Sequence, residues 1–496
     1  MSAPRPWLTP DAAPALCAAG RSASRQELAA RADALAGWLA ARGLGEGEVA
    51  AAFLPNGLGF AALVHAIDRA GAVLLPLNLR LTTAELAFQL RDARAGLLLH
   101  DGGTLGARAE AAARAAGGVT ALRLPDAAAG SPVRFKPRAG LDAPFALLYT
   151  SGTTGRPKGA LLTHRNLRAS VEASSRHLGV RPDDRWLACL PLFHVGGLVI
   201  LLRCALHGIP ALVHERFDPE AVNRALDGEA VTCVSLVPAM LSELLDARRG
   251  RPAPPTLRCV LVGGGPVPRP LLERAAALGF PIAPSYGLTE ASSQVATLRP
   301  GSDPDPARAG LEPLPGTRLR ILAGGRTAGP GEEGEILVRS AAVMRGYANR
   351  PQETARVLRA GWLHTGDIGR LDARGRLFVI ERRSDLIASG GENVYPAEIE
   401  AALLEHPDVL EAAVAGVVDE RFGQRPAAWL VLRPDCALGA DELARFCRER
   451  LAGYKVPVRF ERVAALPRSA TGKLLRNRLA AGDDAEREPG GLTSSR

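Results

Sequence analysis

The chain has 496 residues, of which 47% are hydrophobic and 23% are charged. These values are ordinary for a globular protein of more than one domain, and they exclude collagen-like, coiled-coil and wholly disordered chains. The formal net charge of +9 comes largely from arginine in a composition rich in Ala, Arg and Gly. Such a charge fits anionic small molecules as well as nucleic acid, and we predict no nucleic-acid partner.

Apolar periodicity predicts alternating helices and strands near the start of the chain. It predicts a helix over Gln26–Arg42, a strand over Val49–Leu54, a helix over Phe60–Ala72 and a strand over Val73–Pro76. This repetition indicates an open parallel sheet with helices on its faces. Residues 124–143, which are rich in Pro and Gly, are predicted to form a surface connector.

A second α/β block covers residues 185–300 and contains two apolar strands, Val231–Leu236 and Cys259–Val262. Between residues 310 and 380, short β-like runs alternate with Gly and Pro, as in Arg318–Leu322. This pattern predicts a small barrel or β subdomain.

The predicted fold class is therefore α/β. We expect a large N-terminal domain of parallel-rich sheets flanked by helices, with the small β subdomain, and a small mobile α+β C-terminal domain. The predicted boundaries are 1–382 for the N-terminal domain, 383–480 for the C-terminal domain and 481–496 for a polar, disordered tail.

The sequence predicts neither export nor stable membrane insertion. Met1–Trp7 lacks a basic stretch followed by an apolar one, and the most apolar later run, Gly196–Val213, is interrupted by Arg203 and His207. The seven cysteines are scattered and form no C-x-x-C pair, which favours free thiols over disulfides or a zinc site. We expect a cytoplasmic protein.

The most informative stretch is Tyr149–Gly159, which reads Tyr-Thr-Ser-Gly-Thr-Thr-Gly-Arg-Pro-Lys-Gly. It follows the predicted strand Phe145–Tyr149, and α/β sheets bind ligands at the ends of their strands. Backbone N–H groups and hydroxyls in such a run can surround phosphate oxygens. The same composition is also typical of a plain connector, and the spacing is not that of a Walker A loop.

Five further segments accompany this loop in a fixed order. They are Pro284–Glu290, Gly334–Arg339, His364–Asp367, Arg382–Ile387 and Pro467–Lys473. Together with the loop they resemble the adenylate-forming superfamily of acyl-CoA synthetases, luciferases and peptide-synthetase adenylation domains. The resemblance runs from residue 149 to residue 473, and it implies ATP, Mg²⁺ and coenzyme A as cofactors and a small carboxylic acid as substrate.

The residue types in these motifs suit the activation of an acid by ATP. A carboxyl group with a pKa of about 4 is already ionised at neutral pH, so its attack on the α-phosphorus needs no general base. The site must instead position the reactants and stabilise negative charge. Hydroxyls, glycines, basic side chains and a carboxylate for Mg²⁺ meet that need.

The resemblance assigns roles at the phosphates. It implies that the β and γ phosphates are bound by Thr150, Ser151, Thr153, Thr154 and Lys158. It implies that Thr289 contacts the α-phosphate and that Glu290 binds Mg²⁺, a hard cation that prefers carboxylate and phosphate oxygens. A solvated loop carboxylate is the alternative for Glu290.

The resemblance also assigns the nucleoside. Gly263, Gly264 and Gly265 follow an apolar strand and leave room for a planar base, with Tyr286 as its stacking partner. It implies that Asp367 accepts the ribose hydroxyls and that Arg382 binds ribose or phosphate. A bare turn at the glycines and a turn-stabilising Asp367 are the alternatives.

Two segments near the C-terminus would serve the two reaction steps. The resemblance implies that Lys473 bridges the attacking carboxylate and the α-phosphate, and that the pantetheine arm of coenzyme A passes Ser389, Gly390 and Gly391. The alternatives are an exposed charge at Lys473 and an ordinary βα turn at the Ser-Gly-Gly segment. Because both belong to one small domain, that domain would rotate between the steps. The pivot position, usually Asp or Lys, is Ser384 here, and Asp385 could share its function.

The acyl substrate is indicated by four segments, Trp186–Gly197, His214–Asp218, Ser285–Gln294 and Arg382–Glu400. They are most similar to the o-succinylbenzoate:CoA ligases of menaquinone biosynthesis. That acid has a second carboxylate, which requires cationic or hydrogen-bonding groups in the pocket. His194 and Arg203 are the candidates, with a solvated helix position as the alternative for Arg203.

Other functions stay open at this stage. Medium-chain fatty acid and aryl acid ligases share much of the pattern, and a nucleotide-binding sensor is the non-enzymatic alternative. An amino-acid adenylation domain would have an acidic residue near Phe193–His194, and none is there. The motifs leave open a luciferase-type oxygenase. The sequence also leaves open a homo-oligomer, the pathway and the residue that binds a second carboxylate.

Overall fold

A computed structural model of the chain describes residues 7–125, 140–150, 157–381, 386–433, 436, 438–467, 476 and 479. Within these residues the helices are α1 Arg25–Ala40, α2 Leu58–Ala70, α3 Thr83–Asp92, α4 Gly103–Ala116, α5 His164–Leu178, α6 Val195–His207, α7 Pro219–Gly228, α8 Pro238–Arg248, α9 Arg269–Ala277, α10 Pro306–Ala309, α11 Pro351–Val357, α12 Pro396–Leu403 and α13 Ala440–Arg450.

The strands are β1 Pro14–Ala18, β2 Arg21–Ser24, β3 Val49–Phe53, β4 Val73–Pro76, β5 Ala95–His100, β6 Thr120–Arg123, β7 Pro144–Thr150, β8 Lys158–Thr163, β9 Trp186–Ala188, β10 Ala211–Val213, β11 Cys233–Leu236, β12 Cys259–Val262, β13 Ile282–Leu288, β14 Ser293–Thr297, β15 Glu312–Pro313, β16 Arg318–Ala323, β17 Arg326–Thr327, β18 Gly334–Arg339, β19 Gly346–Tyr347, β20 Leu358–Arg359, β21 Trp362–Leu371, β22 Leu377–Glu381, β23 Ile387–Ser389, β24 Glu392–Val394, β25 Val409–Asp419, β26 Gly423–Leu432 and β27 Phe460–Arg462.

Contacts within the chain separate two compact units. As far as these ranges are described, one unit comprises residues 1–79, 86–148 and 159–380. The other unit comprises residues 80–85, 149–158 and 381–496. The domain boundaries expected from the sequence, near residues 382 and 480, stay a prediction.

A mixed sheet in the first unit has the strand order β15-β14-β13-β12-β11-β9-β10-β1-β2 among the described residues. Its central strands, from β13 through β1, are parallel, and β2, β14 and β15 are antiparallel additions at the two edges. β11 and β12 are completely buried, as expected for parallel strands that are covered on both faces. The carboxyl ends of β9 through β13 therefore meet at one edge.

A second sheet has the order β19-β8-β7-β4-β3-β5-β6 in the described part of the chain. Parallel pairs join β3 to β4 and β5, β4 to β7, and β5 to β6. The predicted strand, helix and strand of this region are β3, α2 and β4. The prediction was correct because an apolar helix and two short apolar strands alternate with clear boundaries.

The β-rich region predicted between residues 310 and 380 is an antiparallel sheet. Its order is β17-β16-β18-β21-β20, with β22 also paired to β21, within the described residues. β16 and β18 pair over Arg318–Leu322 and Glu335–Arg339. Ile321 and Ile336, which lie directly opposite each other in this pair, are both buried.

The second unit contains a sheet with the order β24-β23-β26-β25, and β27 pairs with β26. The long hairpin of β25 and β26 carries α12 and α13, and side chains from all four elements form one core. The α/β fold class predicted from the sequence is confirmed. None of the described helices is both long and apolar enough to cross a membrane.

Candidate active site

The predicted nucleotide residues lie at the carboxyl edge of the sheet that contains β9 through β13. Gly263 directly follows β12, and its N–H donates to the Leu236 carbonyl at the end of β11. Thr289 and Glu290 follow β13 in a short 3₁₀ turn. Ligands of open α/β sheets bind at this edge.

The glycine run lies beside the strand that carries Tyr286. Val262 pairs with Pro284 across β12 and β13, so Gly263 faces Ser285. A Cβ atom at Gly263 would be 3.6 Å from the Ser285 carbonyl oxygen. Gly264 has a φ of +84°, where a side chain would be strained. The backbone here is open to a flat ligand because it has no side chains.

Tyr286 and Asp367 are in direct contact although they are distant in the sequence. The Tyr286 hydroxyl donates to Asp367 Oδ2 over 2.7 Å, and both residues are buried. Thr365 fixes the turn around Asp367, because its hydroxyl donates to the Ile336 carbonyl and accepts from the Asp367 N–H. The proposed base-stacking and ribose-binding residues therefore share one site.

Glu290 is held by a segment that the sequence did not single out. Its Oε1 accepts a hydrogen bond of 2.7 Å from the Tyr347 hydroxyl. Its carbonyl oxygen accepts from the Met344 N–H, also at 2.7 Å. Glu290 is only 8% exposed, so it is not a solvated loop carboxylate.

His194 is the N-cap residue of α6, at the end of a loop that follows β9. The loop is fixed by Asn56, which follows β3 in the neighbouring sheet. The Asn56 amide donates to the carbonyls of Leu190 and His214 and accepts from the Leu192 N–H. One side chain thus joins the carboxyl ends of strands from two sheets, next to His194.

Arg203 is buried on α6 and only 1% exposed, so the solvated-helix alternative is wrong. Its Nη2 donates to Ser174 Oγ over 2.8 Å, and its guanidinium lies 4.3 Å from the centre of the Trp186 ring. Nε and Nη1 have no hydrogen-bond partner, and no carboxylate pairs with the group, among the described residues. Burial lowers the pKa of Arg203.

A chain of hydrogen bonds links Arg203 to the strands beside the glycine run. Ser174 Oγ donates to Gln294 Oε1, Gln294 Nε2 donates to Thr297 Oγ1, and the hydroxyls of Thr297 and Ser285 are 2.8 Å apart. Arg203 lies nine residues after His194, which corresponds to about 13 Å along α6.

Two of the predicted phosphate-binding residues lie at the ends of neighbouring strands. Thr150 ends β7 and Lys158 begins β8, and Lys158 is buried. The remaining predicted residues Ser151, Thr153, Thr154, Arg382, Ser384, Asp385 and Lys473 lie outside the described residues.

In the second unit, Ser389, Gly390 and Gly391 form the tip of the β23–β24 hairpin. Ser389 pairs with Glu392, and the two intervening glycines have φ values of +57° and +87°. Two positive φ values are typical of a type I′ turn. A Cβ at Gly390 would also lie 2.8 Å from the Phe422 ring, so the turn requires glycine.

A buried charge cluster follows that hairpin in the second unit. Lys455 Nζ donates to Glu398 Oε1 and to Glu85 Oε1, each at 2.7 Å. Desolvation works against the charge of Lys455, but Glu398 and Glu85 outweigh it and raise its pKa. The cluster fixes the first turn of α12, directly after the glycine hairpin.

Comparison with known proteins agrees with this arrangement. The AMP-binding enzyme model matches residues 8–348, and the model of the C-terminal domain of the same enzymes matches residues 398–473. The chain belongs to the AMP-binding enzyme family. A 2-succinylbenzoate–CoA ligase of Geobacillus kaustophilus is 43% identical over 476 residues, which cover 96% of each protein.

Solved structures of AMP-binding enzymes are similar as well. A double mutant of o-succinylbenzoate CoA synthetase from Bacillus subtilis, bound to a product analogue, has a TM-score of 0.91 and 38% identity, covering 99% of this chain and 100% of that one. The same enzyme in complex with the acyl-adenylate intermediate has a TM-score of 0.74 and 39% identity, with the same coverage.

Sequence reasoning missed two residues of this AMP-binding enzyme that fix the site. Asn56 and Tyr347 each contact residues more than fifty positions away in the sequence. The only local signals are the turn-like Pro55-Asn56-Gly57 and the pair Gly346-Tyr347. Neither signal indicates which distant residue Asn56 or Tyr347 contacts, so only the fold identifies the role of these two side chains.

Proposed function

We propose that this chain is an ATP-dependent acid:CoA ligase that forms an acyl-adenylate and then an acyl-CoA thioester, with 2-succinylbenzoate as the acid. The observation that carries the proposal is the 43% identity to a 2-succinylbenzoate–CoA ligase over 96% of the chain. The product analogue and the acyl-adenylate bound to the similar Bacillus subtilis enzyme correspond to the two steps.

In the first step, a carboxylate oxygen of the acid attacks the α-phosphorus of ATP, and the bond to pyrophosphate breaks. No proton moves, so the residues need only hold the reactants and stabilise charge. Thr150, Lys158 and the loop between them would hold the phosphates. Lys473 would approach the reacting oxygens.

The nucleoside would lie on Gly263–Gly265, against Tyr286. Asp367 would accept the ribose hydroxyls, and its contact with Tyr286 supports this role because one hydrogen bond orients both side chains. Glu290 fits Mg²⁺, because it supplies a buried carboxylate oxygen and this cation is usually held by one or two carboxylates with substrate phosphates. When bound, Mg²⁺ would neutralise charge on those phosphates.

In the second step, the thiol of coenzyme A loses its proton to solvent and its sulfur attacks the acyl carbon, so that the bond to AMP breaks. Ser389, Gly390 and Gly391 would form the passage for the pantetheine arm. Support comes from their hairpin, whose tip has no side chain at two successive positions.

The second carboxylate of the acid would be matched by Arg203. A buried guanidinium with no carboxylate partner among the described residues is costly for a protein to keep. Its hydrogen-bond chain reaches Gln294 and Ser285, which belong to the segment that resembles succinylbenzoate ligases. An anionic group of the substrate would compensate this cation, directly or through water.

The test is turnover of a panel of acids, measured by pyrophosphate release and by CoA thioester formation. We expect a higher kcat/KM for 2-succinylbenzoate than for benzoate, hexanoate or octanoate. The matched controls are 2-butyrylbenzoate and 3-benzoylpropionate, each of which lacks one of the two carboxylates. The control without the carboxylate to be activated should form no thioester, and the control that lacks only the second carboxylate should be about 10- to 100-fold poorer than 2-succinylbenzoate, because a buried polar site is left unpaired.

A preference for a linear fatty acid or an unsubstituted aryl acid would reject this substrate and favour a broader acyl-CoA ligase. ATP binding without pyrophosphate release for any acid would favour a nucleotide sensor instead. We also propose a cytoplasmic location, supported by the seven cysteines, all of which are free thiols.

A further inference from the structure

Tyr347 makes a contact that the motifs do not explain. Its hydroxyl donates to Glu290 Oε1 over 2.7 Å, and the two residues are only 9% and 8% exposed. A hydrogen bond between a buried tyrosine and a buried carboxylate fixes the rotation of the carboxyl group. It thereby decides which of the two oxygens is available to a ligand.

The same short segment also holds the main chain of Glu290. The Met344 N–H donates to the Glu290 carbonyl over 2.7 Å, three residues before Tyr347. Both the backbone and the side chain of Glu290 are therefore fixed by residues 344–347. The other carboxylate oxygen, Oε2, accepts no hydrogen bond from the described residues.

This segment is in turn anchored to β8, the strand that begins at Lys158. Tyr347 pairs with Ala160 and Gly346 pairs with Leu161 in the antiparallel β19–β8 pair. On either side, the Arg345 N–H donates to the Leu161 carbonyl and the Ala348 N–H donates to the Gly159 carbonyl. Glu290 is thus tied to the strand that leaves the Gly/Ser/Thr loop.

Thr354 of α11 locks the tyrosine itself. Its hydroxyl accepts from the Tyr347 N–H over 2.9 Å and donates to the Arg350 carbonyl. A Cβ at Gly346 would lie 2.7 Å from the Thr354 methyl group, so this close approach requires glycine. The position of Tyr347 is therefore determined by packing and not only by its contact with Glu290.

These residues fit the metal that the proposed function requires. Mg²⁺ is typically bound by one or two carboxylates together with phosphate oxygens, and second-shell hydrogen bonds orient such ligands. No group of three or more His, Cys, Asp or Glu side chains among the described residues could form a complete protein cage. A single oriented carboxylate is what this site offers.

We propose that Tyr347 is a positioning residue that fixes the Glu290 carboxylate, with Oε1 occupied and Oε2 directed to the Mg²⁺ that accompanies ATP. The inference rests on the proposed function. It adds that the affinity for the metal depends on one tyrosine hydroxyl, whereas the affinity for metal-free ATP does not.

The test compares the wild type, Tyr347→Phe and Glu290→Gln by calorimetric titration with ATP, with and without Mg²⁺. Tyr347→Phe should require about tenfold more Mg²⁺ for half-maximal tight ATP binding, as expected when a second-shell partner is lost. Binding of metal-free ATP should be unchanged. In Glu290→Gln, which removes the charge, adding Tyr347→Phe should cause no further loss of metal dependence.

Tyr454→Phe is the matched control, because it removes the hydroxyl of a partly buried tyrosine that belongs to the second unit and not to the segment that holds Glu290; its Mg²⁺ dependence should match the wild type. Equal weakening of ATP binding with and without Mg²⁺ in Tyr347→Phe would indicate general structural damage and overturn the proposal. An unchanged Mg²⁺ requirement would overturn it too. Calorimetry needs no acid substrate, so a wrong acid assignment would leave this result intact.

Discussion

Replacing Arg203 by methionine should leave the protein about as stable as the wild type and make the enzyme less selective. The guanidinium is 1% exposed, and two of its N–H-bearing nitrogens lack hydrogen-bond partners among the described residues. A buried cation without a carboxylate partner opposes folding, because its desolvation is not compensated. Methionine has a similar length and fills irregular space without a charge.

The expected change in stability follows from the contacts that are lost. Exchanging buried ionic groups for packed apolar ones is often neutral or stabilising by about 1–4 kcal/mol. The lost hydrogen bond to Ser174 and the ring contact with Trp186 each offset about 1 kcal/mol. We therefore expect a free energy of unfolding that lies between about 1 kcal/mol lower and about 2 kcal/mol higher than that of the wild type.

The selectivity for 2-succinylbenzoate, in contrast, should fall. If Arg203 balances the second carboxylate, Arg203→Met should lower kcat/KM for 2-succinylbenzoate by about 10- to 100-fold, and it should leave kcat/KM nearly unchanged for the one of 2-butyrylbenzoate and 3-benzoylpropionate that keeps the reacting carboxylate. Arg203→Lys keeps the charge and should retain part of the preference. Urea denaturation gives the stability, and thioester formation gives the selectivity. Equal losses for both acids, or marked destabilisation with unchanged selectivity, would refute the reasoning.

Four further changes test other parts of the molecule. Asn56→Ala removes three hydrogen bonds and should lower the unfolding free energy by roughly 3 kcal/mol in urea; a loss below 1 kcal/mol would contradict its linking role. Burial lowers the pKa of His65 from about 6.5 in the unfolded chain to about 3 in the folded protein. The neutral His65 side chain therefore contributes stability at pH 7 that is lost as the pH falls below about 6.5. His65→Gln should remove about 2 kcal/mol of the difference between pH 7 and pH 5, and identical pH profiles would exclude this. Gly391→Leu should block thioester formation while pyrophosphate exchange continues, whereas loss of exchange in a folded protein would contradict the passage. Lys473→Ala should reduce adenylate formation by roughly a hundredfold or more but spare thioesterification of supplied acyl-adenylate, and equal damage to both steps would argue against its role.

The parts of the fold that the sequence predicts correctly are those with local signals. The strand Val49–Phe53 and the helix Leu58–Ala70 were recognisable because each is a largely apolar run with a Pro or Gly shortly after its end. The short strands between residues 310 and 380 were recognisable from their turns. Edge strands such as Gly346–Tyr347 have two residues and no period, so their pairing with β8 could not be predicted.

The residues of the candidate site also fall into those that the sequence indicates and those that only the fold identifies. Glu290 and Asp367 stand in contiguous motifs, and their roles were predicted from the resemblance of those motifs to the adenylate-forming family. Arg203 was ambiguous, because a lone arginine in an apolar helix carries no sign of whether it faces solvent or the core. The environment of each residue, such as the hydroxyl that holds Glu290, comes from contacts across the fold, and a sequence of one protein does not encode those contacts locally.

The turn that presents Glu290 shows why such contacts matter to function. Ser292 and Ser293 follow it with φ values of +55° and +98°, a region in which serine is strained by about 1–3 kcal/mol per residue. Two hydrogen bonds hold the strained turn, from Ser170 Oγ to the Ser292 carbonyl and from Ser292 Oγ to the Ala342 carbonyl. Across the hairpin, Gly287 is required because any Cβ there would collide with the Ser293 carbonyl. Because this turn begins two residues after Glu290, the hydrogen bonds that hold it also help to fix the backbone that carries the carboxylate.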